Sequence, residues 1–394
     1  MESEVEIRSR ICPITPKSKK GLNPYLKPRT ILIAASLTFI LTAAGLAYYW
    51  MQPPPYLPPL PIQSIPHDVM EIDGDANFAA TALLEGWPGD GSPANPYIIE
   101  GLEIAFGGAA GNCISIRNTR VSFTIRNCNL TGARGWSSKI DGAGIFLENV
   151  TNGKLANNIC SNNSMNGIRV VTGNNNAIVA NLLNDNGQGI TLEGHNNIIA
   201  GNIANNNDDD GIGIDDGTGN IMSGNIAFNN SDYGLGLHRG SNNIIAENTA
   251  NSNSQEGIFL TQSNSNTISS NSVHNNSIGI SLDGSDYNTV ENNTCNNNDY
   301  DILLKESYFN TVENNTCNNN DYGTSLEESN RKTVENNAWE PVFEELTHEE
   351  FVARESVWFL AGCGMILVTS AIALVQFRRM AKLWKIMSNG EYAS

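Results

Sequence analysis

An all-β solenoid, a parallel β-helix of about 10–11 coils flanked by two transmembrane helices, is the fold class that this sequence predicts. Three observations predict it. The stretch TVENNTCNNNDY, Thr289 to Tyr300, recurs from Thr311 to Tyr322, 22 residues later, and a decayed copy, TVENNAWE, starts at Thr333. Self-similarity at a fixed period of this length marks repeats that stack on one another. Short bursts of alternating apolar residues recur at the same spacing, among them Ile168/Val170, Ile190/Leu192, Ile212/Ile214, Leu235/Leu237 and Ile258/Leu260. Alternation with a period of two makes these bursts strands rather than helices. Finally, two uncharged apolar runs, residues 30–50 and 357–377, bracket the repeats. Each is long enough as a helix to cross a bilayer core about 30 Å thick.

Taken in chain order, residues 1–29 form a basic tail with seven Lys and Arg, and residues 30–50 form the first transmembrane helix. Residues 51–66 are a proline-rich linker, 67–337 the β-helix, 338–356 a juxtamembrane helix, 357–377 the second transmembrane helix and 378–394 a second basic tail. Basic residues flanking both spans place both termini in the cytoplasm and the β-helix outside the cell membrane. A cleaved signal peptide is the competing reading of the first span, though its leading region is long for one. The formal net charge of −18 argues against nucleic acid as a partner. The bilayer is the partner that the two spans imply.

Within the β-helix one asparagine column is explicit. It runs Asn158, Asn181, Asn202, Asn225, Asn248, Asn271, Asn293, Asn315 and Asn337, each three residues after an aliphatic. A buried, unpartnered amide costs about 1–3 kcal/mol, so stacked inward asparagines are expected to bond to the copies above and below. Asparagine also tolerates the left-handed backbone that sharp corners require. Residues 67–100 read as a turn-rich lead into the first coil. Five cysteines fall outside the membrane: Cys113, Cys128, Cys160, Cys295 and Cys317. An odd number without a CxxC motif gives neither a disulfide framework nor a zinc site. Cys160, Cys295 and Cys317 share a column with small apolar residues, so packing is their default role, and the spacing also allows a Cys295–Cys317 disulfide.

At these residues the chain resembles a known family. GDGSPANPYIIEGLEI, followed by CISIRNT, FTIRNC and the repeats, is similar to the NosD-like, carbohydrate-binding and sugar-hydrolase type of right-handed parallel β-helix proteins, archaeal membrane-anchored forms in particular. The resemblance covers about residues 67–337. It implies a right-handed coil. It is specific for fold and not for function, because the family includes copper-site maturation proteins, polysaccharide-active enzymes and surface proteins.

Side chains can be placed by the repeat. One outward column reads Glu148, Val171, Glu193, Asp215, His238, Thr261, Asp283, Lys305 and Glu327. Asp215 should stack between Glu193 and His238, and Asp216 beside Arg239, with Gly213 and Gly236 leaving bare backbone nearby. NNNDDDGIGIDDG precedes and includes this strand. Glu193, Asp215 and His238 are therefore the candidate catalytic residues for acid–base work on a glycosidic bond. Asp208, Asp209, Asp210, Asp215 and Asp216 are candidate calcium ligands, since calcium takes hard oxygens. A solvated acidic turn with cross-coil surface pairs is the alternative. Copper needs clustered imidazole or sulfur, and the five histidines form no column. Tyr287/Phe309 and Tyr300/Tyr322 are stacked aromatic pairs, for stability or as sugar platforms. Sequons begin at Asn129, Asn149, Asn162, Asn229, Asn275, Asn292 and Asn314, which an exported topology could expose to glycosylation. The expected function is binding or structural at the cell surface, with a polysaccharide or an envelope protein as ligand. A polysaccharide lyase or hydrolase and a metalloenzyme maturation factor are the alternatives.

Overall fold

The structure, a computed structural model, describes residues 65–108, 110–135, 142–329 and 333–341. Short strands, mostly of three to nine residues, wind as a right-handed parallel β-helix of about ten turns. Three parallel sheets form its walls. Sheet I has 12 strands, from Ile65–Pro66 to Ala338–Pro341. Sheet II has 11, from Met70–Asp73 to Ser325–Glu327, and sheet III has 11, from Tyr97–Glu100 to Thr333–Glu335. The chain visits II, III and I in turn, so each residue pairs with its equivalent one repeat away, as Ile190 does with Ile212 and Ile212 with Leu235.

Inward aliphatics make a continuous core. Ile178, Ile199, Met222 and Ile245 on sheet III face Ile212, Ile214, Leu235 and Leu237 on sheet II, all with no solvent exposure. The expected asparagine column is present and buried. The Asn202 backbone N–H and its Nδ2 both donate to Asn225 Oδ1, at 2.9 and 3.0 Å, and Nδ2 also donates to Ile178 O at 2.8 Å. Two further ladders line the other corners. One runs from Asn163 through Asn186, Asn207, Asn230, Asn253, Asn276 and Asn298 to Asn320. The other runs from Asn176 to Asn310. Every corner thus satisfies its own buried backbone groups, which resolves the large asparagine content. The residue before a ladder asparagine sits outward in the left-handed region, as Asn157, Asn292 and Asn314 do at φ 55°, 55° and 56°.

The ends differ from the sequence reading. Residues 75–85 are a helix, Asp75–Glu85, not part of a turn-rich lead. Its Phe78 is fully buried and lies against Tyr97 (5.3 Å, stacked) and Phe123 (5.2 Å), closing the N-terminal end of the core. Gly86 ends the helix in the left-handed conformation at φ 69°, with its N–H on Ala82 O. Asp75 holds the helix to the coil below by accepting from Thr119 Oγ1 (2.7 Å) and the Arg120 N–H (2.9 Å). Ile65–Pro66, placed in the linker from sequence, is a strand on Leu102–Glu103. Ala338–Pro341 is a strand paired to Thr316–Asn320 rather than the beginning of a helix. Among the described residues no helix is long and apolar enough to cross a membrane. Both apolar runs, 30–50 and 357–377, and most of the linker and juxtamembrane segments lie outside the described residues.

Candidate functional site on the outer face of sheet II

Four consecutive strands of sheet II build the site: Gln188–His195, Ile212–Thr218, Leu235–His238 and Glu256–Thr261. Their inward residues are the core aliphatics, so the alternate residues must face out. The register is the one expected: Glu193 pairs with Asp215, and Asp215 with His238. The His238 Nδ1 to Asp215 Oδ1 distance is 3.9 Å, an ionic approach rather than a hydrogen bond, and both side chains remain about one-third exposed.

The two glycines serve the site differently from expectation. Both are buried rather than bare. A Cβ on Gly236 would stand 3.3 Å from His238 Nε2, because the imidazole folds back over this residue. There the ring is framed by Tyr233 (6.2 Å) and, edge-on, by Phe259 (5.9 Å), which also pack on each other at 4.6 Å. A Cβ on Gly213 would meet nothing closer than Asp210 Oδ2 at 3.7 Å. Gly213 is glycine without a steric demand, whereas two residues earlier a Cβ on Gly211 would strike Gly234 O at 2.6 Å. A strand glycine with no steric demand leaves room for another group to approach the backbone.

Beside the histidine lies an acidic cluster. One carboxylate oxygen each from Asp209, Asp210 and Asp232 falls within 4.8 Å of the other two. Asp209 and Asp210 come from the turn entering Ile212–Thr218, and Asp232 from the same turn one coil on. Gln188 Nε2 donates to Asp209 Oδ2 (2.9 Å) and Asp210 Oδ2 (3.5 Å), and the Tyr233 N–H donates to Asp210 Oδ1 (3.3 Å). Burial first, and the neighbouring Asp209 charge second, push the Asp210 carboxyl up to about 7. Burial and Asp209 also raise Asp232. Burial raises Glu193, opposed by Arg169 and reinforced by Asp215 and Asp216. The Tyr233 phenol is pushed up to about 12 by burial and by the surrounding carboxylates.

The structure therefore joins Asp209, Asp210 and Asp215 with His238 and Glu193 on one face. It sets two of the expected calcium ligands apart. Asp208 is exposed and does not join the trio, and Asp216 is tied to Arg239, with Nε–Oδ1 at 2.7 Å and Nη2–Oδ2 at 2.9 Å. That bond holds the Asp216 carboxyl below its ordinary range. Sequence reasoning missed Asp232, Tyr233, Phe259 and Gln188. Asp232 stacks on Asp209 and Tyr233 on Asp210 at the repeat spacing, so following the adjacent outward columns would have found them. The stacked pairs elsewhere are real: Tyr287–Phe309 at 4.7 Å and Tyr300–Tyr322 at 4.6 Å. Of the sequon asparagines, Asn162, Asn229, Asn275, Asn292 and Asn314 are exposed corner residues with positive φ, Asn149 is exposed with positive φ near the end of the strand Ile145–Val150, and Asn129 lies in a strand and is half-buried.

The fold and this site define a parallel β-helix scaffold with a polar, carboxylate-rich outer face. The family model described as periplasmic copper-binding protein (NosD) matches residues 126–299 and 288–341, together more than half of the chain. The chain belongs to the NosD family. No curated protein matches it. Among solved structures it is similar to the Dettilon tailspike protein (gp208), with TM-score 0.51 and 16% identity, covering 65% of this chain and 55% of that one. The chain thus spans little more than half of the tailspike's length. It is also similar to the A-module of the Azotobacter vinelandii mannuronan C-5 epimerase AlgE4 (TM-score 0.45, 18% identity, 67% and 92% covered). DFA-IIIase from Arthrobacter chlorophenolicus A6 without its lid matches with TM-score 0.45 and 13% identity, covering 72% and 86%.

Copper is the metal that the family description implies, and the described residues do not suit it. Copper favours imidazole and sulfur donors. His67, His195, His238 and His274 sit on separate coils, and the described cysteines are buried in the core. The convergent donors are carboxylates, which suit a hard cation instead.

Proposed function

We propose that the chain is a membrane-anchored, extracytoplasmic NosD-family solenoid that binds a polysaccharide on the outer face of sheet II, around Asp215 and His238. The observation that carries this reading is the preparation of His238. A glycine beneath it and two aromatic rings around it fix an imidazole that is still part exposed, beside a part-exposed carboxylate. A surface ion pair alone needs no such frame and is worth only about 0–1 kcal/mol. Hydroxyl-rich ligands use what is present here: carboxylate acceptors, an imidazole, and aromatic faces for the apolar side of a sugar ring. The membrane anchoring rests on the two apolar runs of the sequence and their basic flanks. The test is polysaccharide binding by the full chain against its Asp215→Ala and His238→Ala variants. Both positions are part exposed, so the fold should survive while binding weakens at least tenfold. Unchanged binding in both variants would end the proposal.

Cleavage of the bound glycan is the second reading, and one observation favours it. Asp210 is buried at the edge of the same face with a carboxyl that titrates at about 7, where a group can give and take a proton near neutral pH. The trio Asp209, Asp210 and Asp232 is packed more tightly than the roughly 5–5.5 Å of a retaining glycosidase pair, so Asp210 would have to work with Asp215 or His238 rather than within the trio. Under this reading Asp210→Asn abolishes release of reducing ends from a bound polysaccharide but leaves binding intact.

A further inference from the structure

Where the chain enters sheet II, successive coils place a glycine: Gly189, Gly211, Gly234, Gly257 and Gly279. A Cβ there would point inward, against the next coil. It would lie 2.8 Å from Ala204 Cβ at Gly189, 3.0 Å from Ala227 Cβ at Gly211 and 2.2 Å from Val273 Cγ1 at Gly257. The equivalent of Gly279 one coil on is Asp301, since Ile278 pairs with Tyr300. Asp301 is 1% exposed, and no donor meets either carboxylate oxygen at hydrogen-bond geometry. As a Cβ on Gly257 would face Val273, Asp301 two coils on faces the column of Val273, Cys295 and Cys317, in which Cys317 stacks in register on Cys295. Both cysteines are buried and carry free thiols.

A buried carboxylate without a donor is costly, and glycine fills this position elsewhere without that cost. Cys295 and Cys317 are direct neighbours in the strand register, and the Asp301 carboxylate acts on both thiols. The convergent metal-ligand trio among the described residues lies elsewhere, at Asp209, Asp210 and Asp232. Neighbouring strands run about 4.8 Å apart, and disulfides bridge Cα atoms about 4.4–6.8 Å apart.

We propose that Cys295 and Cys317 are an oxidisable pair, closed into a disulfide by a hydroperoxide, with Asp301 as the proton acceptor for Cys317. The Cys317 thiol gives its proton to the Asp301 carboxylate, and the thiolate attacks one peroxide oxygen. The O–O bond breaks, Cys317 becomes a sulfenic acid, and the departing hydroxide takes the proton from Asp301 as water. The Cys295 sulfur then displaces the sulfenic hydroxyl, which leaves with the Cys295 proton as a second water. Two thiols are oxidised and one hydrogen peroxide is reduced to two waters. The product ties two coils together close to the C-terminal end of the stack, one strand short of its last.

The acceptor suits this task near neutral pH, because burial pushes the Asp301 carboxyl up to about 7. The titratable groups on the strands packed against it are Cys295, Cys317, Tyr300 and Tyr322, with Asp283, Lys305 and Glu327 on the outer side of the same sheet. The test treats the full chain with hydrogen peroxide, then alkylates free thiols and maps linked peptides by mass spectrometry. The wild type should give a Cys295–Cys317 link, formed faster as pH rises through about 7. Asp301→Asn should slow the link by about 100-fold and remove that rise. Asp301→Gly restores the residue of the neighbouring coils, so it should keep the circular dichroism spectrum and show the same slow linking. Cys160, in the same column but with no carboxylate beside it, is the internal control and should stay reduced. The proposal is overturned if the wild type forms no link, if Cys317 proceeds to a sulfinic acid instead, or if either variant links at the wild-type rate.

Discussion

Replacing Asn225 by alanine probes the ladder that makes the solenoid cohere. Asn225 has no solvent exposure and sits mid-stack. Its Oδ1 accepts from the Asn202 N–H at 2.9 Å and from Asn202 Nδ2 at 3.0 Å. Its Nδ2 donates to Ile199 O at 2.9 Å and to Asn248 Oδ1 at 3.0 Å. Alanine removes all four. Asn202 Nδ2 keeps its bond to Ile178 O, and Asn248 Oδ1 keeps the Asn225 N–H. One buried group is left with no partner, the Asn202 N–H, because the Ile199 carbonyl still takes part in the parallel ladder with Ile221–Ser223. An unsatisfied buried donor costs about 1–3 kcal/mol, and that is the expected loss. Because stability in a stack passes from neighbour to neighbour, the defect should also split the unfolding transition. Urea unfolding followed by circular dichroism measures the first effect, and hydrogen exchange at the Asn202 amide locates it. The matched control is Asn196→Gly, at an exposed corner with φ 55°, which should change stability by less than about 0.5 kcal/mol. An Asn225→Ala chain as stable as that control would refute the reasoning.

Further outcomes follow from the same geometry. Gly211→Ala should cost about 1–3 kcal/mol, since its Cβ meets Gly234 O at 2.6 Å, while Gly213→Ala, with 3.7 Å of room, should be neutral or slightly stabilising in the same melting assay. The Asp210 carboxyl titrates at about 7 when folded, against an ordinary aspartate value of 3.8, so the folded chain holds that proton more tightly than the unfolded one. Stability should therefore be greatest below about pH 4, fall as pH rises to about 7 and then level off; Asp210→Asn should reduce this slope in urea titrations across that range. Asp216→Ala breaks only an exposed pair with Arg239, so its melting temperature should stay within what about 1 kcal/mol allows.

The fold was largely legible because each coil repeats the same physical solution. The 22-residue spacing, the aliphatic three residues before Asn158 or Asn202, and the paired apolar bursts fixed strand positions and register well enough to put Asp215 beside His238 and Asp216 beside Arg239. The other two asparagine ladders were written in the same grammar. Cys160, Leu183 and Ala204 stand three residues before Asn163, Asn186 and Asn207, but small and varied residues hide that column. The third ladder, starting at Asn176, follows Gly173 rather than an aliphatic, so a hydrophobic signal does not reveal it. The helix Asp75–Glu85 had an acidic first turn and a glycine stop, but it is a single 11-residue element amid turn residues and has no repeat to support it. At the site, sequence gave positions and not conformations. It could show that Gly236 lies near His238, but not that the imidazole folds back over it between Tyr233 and Phe259. Nor could it show that Asp210 is buried while Asp208, two residues away, is not.

The central claim is that the outer face of sheet II around Asp215 and His238 receives a polysaccharide. Its most direct measurement is a polysaccharide and glycan array probed with the full chain, with and without calcium, alongside the Asp215→Ala/His238→Ala double variant at matched thermal stability. The account predicts binding to a definite class of glycan by the wild type and its loss in the double variant. Identical binding by the two chains, or no glycan bound by either, would contradict it.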